Sequence, residues 1–219
     1  MNIVKLKPDD QDRNSEAWKM LCEYVDICAR EHRTEFAPRE YLGDEHFQRI
    51  YTLPTTIGTL TSVKKMRLYG SKLKRIPPEI GMMAALEDFD PYTSRDLHWF
   101  PYEITRCKHL KKTRVSIRKL YGNFKNKKPF PDLNDFHIRY DGDHMKCSVC
   151  DKTMHDNQAN QVWITLQIGH DDAPLLASLC SNECAQQLPT PPPGYIPHAH
   201  KGGNTVVFPK HGPLYYMGK

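Results

Sequence analysis

Four cysteines in the second half of the chain have the spacing of metal ligands. Two residues separate Cys147 from Cys150, and three separate Cys180 from Cys184. Such short gaps let two thiolates reach the same ion, and Zn²⁺ takes four ligands of this kind tetrahedrally at about 2.3 Å. The pattern predicts one structural zinc site made by these four residues. A full set of sulfur ligands leaves no open position for a catalytic water.

The second pair of cysteines lies in a motif of its own, Leu179-Cys-Ser-Asn-Glu-Cys184. This segment resembles the end of an FCS-type finger, and the arrangement of the four cysteines resembles a treble-clef zinc finger. The resemblance covers only the region of the cysteines. It implies a small zinc-binding fold in which the last cysteine lies on the first turn of a helix. Fingers of this fold bind proteins or nucleic acids.

A metal-dependent nuclease is an alternative, because a treble clef can host histidines that hold a second ion. The run His-Asp-Asp that begins at His170 raises this possibility. However, only four residues lie between Cys184 and Pro189, so the histidine expected on that helix is missing. We therefore expect no enzyme activity, and we expect His144, His155 and His170 to lie on the surface.

A repeat with a period of 23 to 24 residues precedes the cysteines. Its phases are Leu53-Pro54, Ile76-Pro77 and Phe100-Pro101, each followed at the same offset by Ile57, Ile80 or Ile104. The pattern resembles the leucine-rich repeat, in which each coil adds a strand to a parallel sheet and buries its apolar side against its neighbours. Ser71, Ser94 and Arg118 stand where that family usually has Asn.

Apolar periodicity predicts the other elements. Residues 14–31 have helical spacing with Asn14 or Ser15 as the cap, and this helix suits the amino-terminal end of the repeats. We expect it to end well before Pro38, with a second helical piece over 44–51. Alternation over 161–168 predicts a half-buried strand, with 175–180 as its partner.

These elements predict an α/β fold made of a short leucine-rich-repeat solenoid with an amino-terminal helical cap, plus a small treble-clef-like zinc module. The predicted segments are a cap at 1–49, repeats at 50–124, a linker at 125–136, the zinc module at 137–190 and a Pro-rich tail at 191–219. Aromatic residues of the tail, among them Tyr195, Phe208, Tyr215 and Tyr216, suggest that parts of it pack on the rest of the protein.

Composition indicates the cellular compartment in which the protein is expected. The chain has 219 residues, 39% of them hydrophobic, and a formal charge of +5. No apolar run approaches the roughly 18 residues that cross a bilayer, so we expect no membrane association. Seven cysteines, four spaced as ligands, favour a reducing compartment, and we expect a cytoplasmic protein. The remaining thiols, Cys22, Cys28 and Cys107, fall at apolar positions of the predicted core.

One face of the predicted sheet is the candidate binding surface, because residues that alternate with the inward strand positions point outward. These residues are Lys65, Arg67, Tyr69, Asp88, Asp90, Tyr92, Lys112, Arg114 and Ser116. Tyrosine and arginine are common in protein interfaces. We therefore expect non-catalytic recognition of a protein partner, for example by an inhibitor or immunity-type protein that blocks a toxin or enzyme. A solvated face with internal ion pairs is the alternative.

A nucleic acid is the competing partner. Residues 106–128 contain ten basic residues and no acid, and Tyr121 and Phe124 are interleaved as base-stacking residues would be. The ten are Arg106, Lys108, Lys111, Lys112, Arg114, Arg118, Lys119, Lys125, Lys127 and Lys128.

Overall fold

The fold was obtained as a computed structural model that describes residues 9–140 and 144–213. It is mixed α/β with small sheets, which confirms the predicted class. The described residues form two compact units. The first holds the residues up to Lys119 together with Ile168–Asp171, and the second holds the others from Leu120 onward. None of the described helices is long and apolar enough to cross a bilayer.

The first unit contains two helices and five short strands. They are α1 (Glu16–Arg30), β1 (Glu35–Phe36), α2 (Pro38–Phe47), β2 (Lys65–Arg67), β3 (Asp88–Asp90), β4 (Phe100–Pro101) and β5 (Lys112–Thr113). Helix α1 confirms the prediction for this region. Its cap is Ser15, whose Oγ accepts a hydrogen bond from Trp18 N at 3.3 Å, and it buries Leu21 and Val25.

Helix α2 starts earlier than predicted. The expected helical piece at 44–51 was placed after a non-helical Pro38, but Pro38 is the first residue of the helix. Proline is well tolerated there, because its missing N–H would have no intrahelical partner and its φ suits a helix. A break at Gly43, with φ of 74°, divides the helix, and the helical pattern ends at Phe47 rather than at Tyr51.

Four strands form a parallel sheet in the order β1-β2-β3-β5. The pairing aligns Phe36, Met66, Phe89 and Thr113 side by side, and the first three are fully buried. A 3₁₀ segment follows the proline of each repeat phase, at Thr55–Thr59, Pro78–Met82 and Tyr102–Arg106. The sequence period therefore corresponds to a repeated strand and 3₁₀ segment.

Two serines one period apart connect neighbouring repeats. Ser71 and Ser94 are buried, and their Oγ atoms lie 2.6 Å apart. Ser94 Oγ also donates to the carbonyl of Leu68 at 3.2 Å. Because a buried hydroxyl without a partner costs free energy, the contact with Ser94 stabilises the fold by giving the buried hydroxyl of Ser71 a hydrogen-bond partner.

The second unit contains four strands and one short helix, apart from Ile168 at the end of β8 and Asp171 at the start of β9, which belong to the first unit. These elements are β6 (His144–Lys146), β7 (Thr153–His155), β8 (Asn160–Ile168), β9 (Asp171–Leu179) and α3 (Asn182–Gln186). Strands β6 and β7 pair antiparallel, and β8 and β9 are neighbours joined by Gly169 and His170. The prediction of a half-buried strand at 161–168 was wrong in one respect. Every residue from Gln161 to Leu166 is buried, so both faces of β8 are covered.

Trp163 is the centre of the core of this unit. It is fully buried, and its Nε1 donates to Pro131 O at 3.0 Å. Its ring centroid lies 5.7 Å from that of Phe130, a residue of the segment expected to be a linker. The tail also contributes, since Trp163 N donates to His200 O at 2.8 Å. Residues that precede β8 in the sequence and residues that follow it therefore contribute to the same core.

The packing expected for the tail aromatics is observed in part. The ring of Phe208 stacks on that of Phe130 at a centroid distance of 6.5 Å, and Ile196 is buried. Tyr215 and Tyr216 lie outside the described residues. Within the expected linker, Leu133 is also buried, so this part of the chain contributes side chains to a core.

Candidate metal centre

The first cysteine pair lies in the turn between β6 and β7. The hairpin pairs His144 with His155 and Lys146 with Thr153. Cys147 N donates to Lys152 O at 2.9 Å, and Asp151 N donates back to Cys147 O at 3.0 Å. These bonds close a tight turn, which directs both thiols of the Cys147–Cys150 pair to one side.

The second pair lies at the junction of β9 and α3. Cys180 follows the last residue of the strand, and Cys184 lies in the first turn of the helix. Ser181 caps that helix, because its Oγ accepts a hydrogen bond from Cys184 N at 3.3 Å. The position of Cys184 is the one that the resemblance to an FCS-type finger implies.

Ser148 holds the two pairs together. Its backbone N donates to Ser178 O at 2.7 Å, and its Oγ accepts from Ser178 N at 2.9 Å. Ser178 precedes Cys180 by two residues on β9, so the turn that carries Cys147 is bonded to the strand that carries Cys180. Sequence reasoning missed Ser148, since a serine between two cysteines carries no distinctive signal.

The four sulfurs form one cluster, as predicted. All four Sγ atoms lie within 4.8 Å of one another. Cys150 Sγ is 3.5 Å from Cys180 Sγ, which is 3.7 Å from Cys184 Sγ. Ligands placed tetrahedrally about 2.3 Å from zinc would be about 3.8 Å apart, whereas a disulfide needs about 2.05 Å. The cluster therefore has the dimensions of a site that can hold one metal ion.

The cluster is partly shielded and electrostatically uneven. Cys147 and Cys184 are buried, while Cys150 is exposed. Burial opposes ionisation of Cys147, but the backbone N–H groups of Cys150, Val149 and Cys180 outweigh it and lower the pKa of this thiol to about 7. In the absence of metal, hydrogen bonding to Cys150 raises the pKa of Cys180. Cys147 is therefore favoured as a thiolate over Cys180. A bound cation would displace the protons that remain on the other thiols.

Within residues 9–140 and 144–213, no other group of three or more His, Cys, Asp or Glu residues is placed to hold a metal ion. His144, His155 and His170 are exposed, as expected. Of the remaining thiols, Cys28 and Cys107 are buried and Cys22 is partly exposed. Burial raises the pKa of Cys107 to about 12, so this thiol is protonated and packs as a small apolar side chain.

The predicted binding residues lie on β2, β3 and β5 or within a few residues after them. Several of their charges are paired with one another or with a residue of β1. Arg67 Nε is 2.9 Å from Glu35 Oε1, and Arg67 Nη1 is 3.1 Å from Asp88 Oδ2. Arg114 Nη1 lies 3.3 Å from Asp90 Oδ2. Sequence reasoning missed Glu35, because β1 precedes the first repeat phase and carries no repeat signal.

Two of the predicted outward residues are less accessible than expected. Asp90 is buried. Its carboxylate accepts a hydrogen bond from Tyr92 N at 3.1 Å and also pairs with Arg114. Ser116 is half-buried, and its Oγ accepts from Thr93 N at 3.0 Å. Both side chains are occupied in connecting neighbouring strands.

Two tyrosines form the most exposed aromatic feature of this face. Tyr69 and Tyr92 are 48% and 44% exposed, and their ring centroids lie 6.1 Å apart. The two tyrosines occupy equivalent positions after β2 and β3. The segments that carry them are hydrogen-bonded, since Gly70 N donates to Tyr92 O at 2.8 Å. Their side-by-side placement was expected from the repeat spacing.

Residues 106–128, the basic segment, do not expose their aromatic side chains as a nucleic-acid interface would. Tyr121, one of the two interleaved aromatics, is buried, and its ring lies 5.8 Å from that of Trp163. Phe124 is half-buried. Tyr121 is therefore part of a core and does not present a face for base stacking.

Comparisons of this chain with protein-family models, with curated proteins and with solved structures gave no match.

Proposed function

We propose that this protein is a non-catalytic recognition module that binds a protein partner through the face of its parallel sheet. In this proposal β1, β2, β3 and β5 belong to the coils of a short leucine-rich-repeat-like solenoid. The in-register strands, the 3₁₀ segments after each proline and the 23-residue spacing of Ser71 and Ser94 support it. The four cysteines hold one structural zinc ion in a treble-clef-like module.

The exposed pair of Tyr69 and Tyr92 carries the proposal. Exposed aromatic side chains have a free-energy cost in water, and tyrosine contributes large contact area with little loss of side-chain entropy on binding. The neighbouring ion pairs of Arg67 and Arg114 hold the charged side chains in one geometry. A partner would therefore meet a surface that is already ordered, which lowers the entropic cost of association.

An inhibitor or immunity-type role is one concrete form of this function. A rigid, charged and aromatic face can cover the active site of a toxin or enzyme without chemistry of its own. This form adds the expectation that the bound partner loses activity. Assay of the captured partner with and without the protein measures that loss.

The test is partner capture with matched variants. Full-length wild-type protein and its Tyr69→Ala/Tyr92→Ala variant are used as baits in lysate of the native host, and bound proteins are identified by mass spectrometry. Met82→Ala is the control, because Met82 is 57% exposed but lies on a 3₁₀ segment rather than on the sheet. We expect a partner retained by wild type and Met82→Ala and lost from the tyrosine variant. Equal capture by all three baits would contradict the proposal.

Nucleic-acid binding is the second candidate, favoured by the exposed lysines of the basic segment. Six of them are exposed, at Lys108, Lys111, Lys112, Lys119, Lys125 and Lys127. Binding through phosphate contacts would weaken steeply with salt. Fluorescence anisotropy with a labelled oligonucleotide at 50 and 200 mM salt, using wild type and a Lys125→Ala/Lys127→Ala variant, tests it.

A further inference from the structure

The carboxylates of the sheet face are already bound by arginines of the same face. Arg67 contacts both Glu35 and Asp88, and Arg114 contacts Asp90. A basic partner would have to separate these pairs before it could use the carboxylates. The negative charges of the face are therefore poorly available to an incoming group.

The two lysines of the face are in the opposite situation. Lys65 and Lys112 are exposed, and neither forms an ion pair with any residue in the ranges 9–140 and 144–213. Both are aligned with Asp88, on either side of it. Two strand spacings place their backbones about 10 Å apart. The face thus offers two separate cations at a fixed spacing.

We infer that the partner of this face is an acidic protein surface, whose carboxylates meet Lys65 and Lys112 and whose aromatic or apolar side chains pack on Tyr69 and Tyr92. This inference rests on the proposed function and adds the charge of the partner to it. Carboxylates reach the lysines without breaking any ion pair of the sheet, so the complementary charge contributes to both association rate and specificity. The tyrosines contribute the apolar contact next to these charges.

The probe is a fluorescein-labelled random copolymer of glutamate and tyrosine, a soluble polypeptide that carries the two inferred features. Its binding to the full-length, zinc-loaded protein is measured by fluorescence anisotropy. The test variant is Lys65→Glu/Lys112→Glu. The control is Lys19→Glu/Lys210→Glu, which changes the net charge equally at two exposed lysines that belong to no strand of the sheet. We expect the test variant to bind at least tenfold more weakly, and the control to bind within about twofold of wild type.

Three outcomes would overturn the inference. They are equal binding by the two variants, tighter binding of a lysine–tyrosine copolymer than of the glutamate–tyrosine copolymer, and an equal loss of binding to a single-stranded oligonucleotide in the test variant. The last would mean that the lysines recognise polyanions in general. If a captured protein partner depends on Tyr69 and Tyr92 but not on Lys65 and Lys112, then only the inferred acidity fails and the proposed function stands.

Discussion

At the scale of single residues, the chemistry of the protein is concentrated in the thiols. Cys147 and Cys184 are buried within the cluster, and Cys150 closes it from the solvent side. The hydrogen bond to Ser181 lowers the pKa of the Cys184 thiol, but burial and hydrogen bonds to the other cysteines outweigh it and raise this pKa to about 12. Cys184 therefore holds its proton more firmly than Cys147, whose pKa is lowered to about 7. The proposed zinc would replace these protons and couple its binding energy to folding.

Zinc content should therefore fall when a cysteine of the cluster is substituted, and it should stay unchanged when a cysteine outside the cluster is substituted. We expect wild-type protein purified without chelator to contain about one zinc per chain, and Cys184→Ser to contain well under half of that with a lower melting temperature, since three ligands hold zinc less tightly than four. Inductively coupled plasma mass spectrometry and thermal unfolding measure the two quantities. Cys22→Ser is the control and should keep its zinc. Zinc contents that are equal in wild type and Cys184→Ser would contradict the assignment.

At the scale of elements, the stacking of the strands depends on polar groups as well as on apolar residues. The strands of the parallel sheet are only two or three residues long, so they form few ladder hydrogen bonds. Buried apolar residues at equivalent positions, such as Met66 and Phe89, supply packing. The hydrogen bond between Ser71 and Ser94 adds a directional contact at the turn that follows each strand.

A double-mutant cycle should measure an energetic coupling between Ser71 and Ser94. Ser94→Ala removes the hydrogen-bond partner of the buried Ser71 hydroxyl, and we expect it to lower the free energy of unfolding by about 1–3 kcal/mol. The double variant Ser71→Ala/Ser94→Ala should lose less than the sum of the two single variants, because it removes both members of the pair. Urea denaturation measures all three variants against wild type. Strict additivity would show that the contact is not energetically coupled.

At the scale of the whole molecule, each of the two units has a core of its own. Met66, Phe89 and their neighbours form one, and Trp163 with Phe130 is part of the other. All four cysteines of the cluster belong to the second unit. Metal binding should therefore stabilise this unit first.

Removal of metal by a chelator should have a local effect. We expect amide hydrogen exchange to accelerate in the segments around Cys147–Lys152 and Cys180–Gln187 after chelation, because the bonds that close both turns depend on the ligands staying together. Amides of β2 and β3 should keep their protection, since these strands carry none of the ligands. Hydrogen exchange mass spectrometry on the full chain, before and after chelation and after zinc is restored, measures this. Uniform loss of protection over the whole chain would contradict a local effect of the metal.

Features that depend on spacing along the chain could be predicted from the amino-acid sequence. The gaps between cysteines predicted the ligand set, and the period of 23 to 24 residues predicted which residues would lie side by side, including Tyr69 and Tyr92. The capping residue and apolar spacing predicted α1. Each of these follows from local geometry, so that a pattern in the sequence is enough to indicate it.

Accessibility and long-range contacts of these residues could not be predicted from spacing, because they arise when separate elements pack together. Tyr121 is buried against the ring of Trp163, and Trp163 of β8 contacts Phe130 and His200. In each of these pairs the two residues are distant in the sequence. The pairing of Arg67 with Glu35, and of Ser148 with Ser178, likewise joins residues about thirty positions apart. Spacing carries no information about such contacts, because they depend on how separate elements pack in three dimensions.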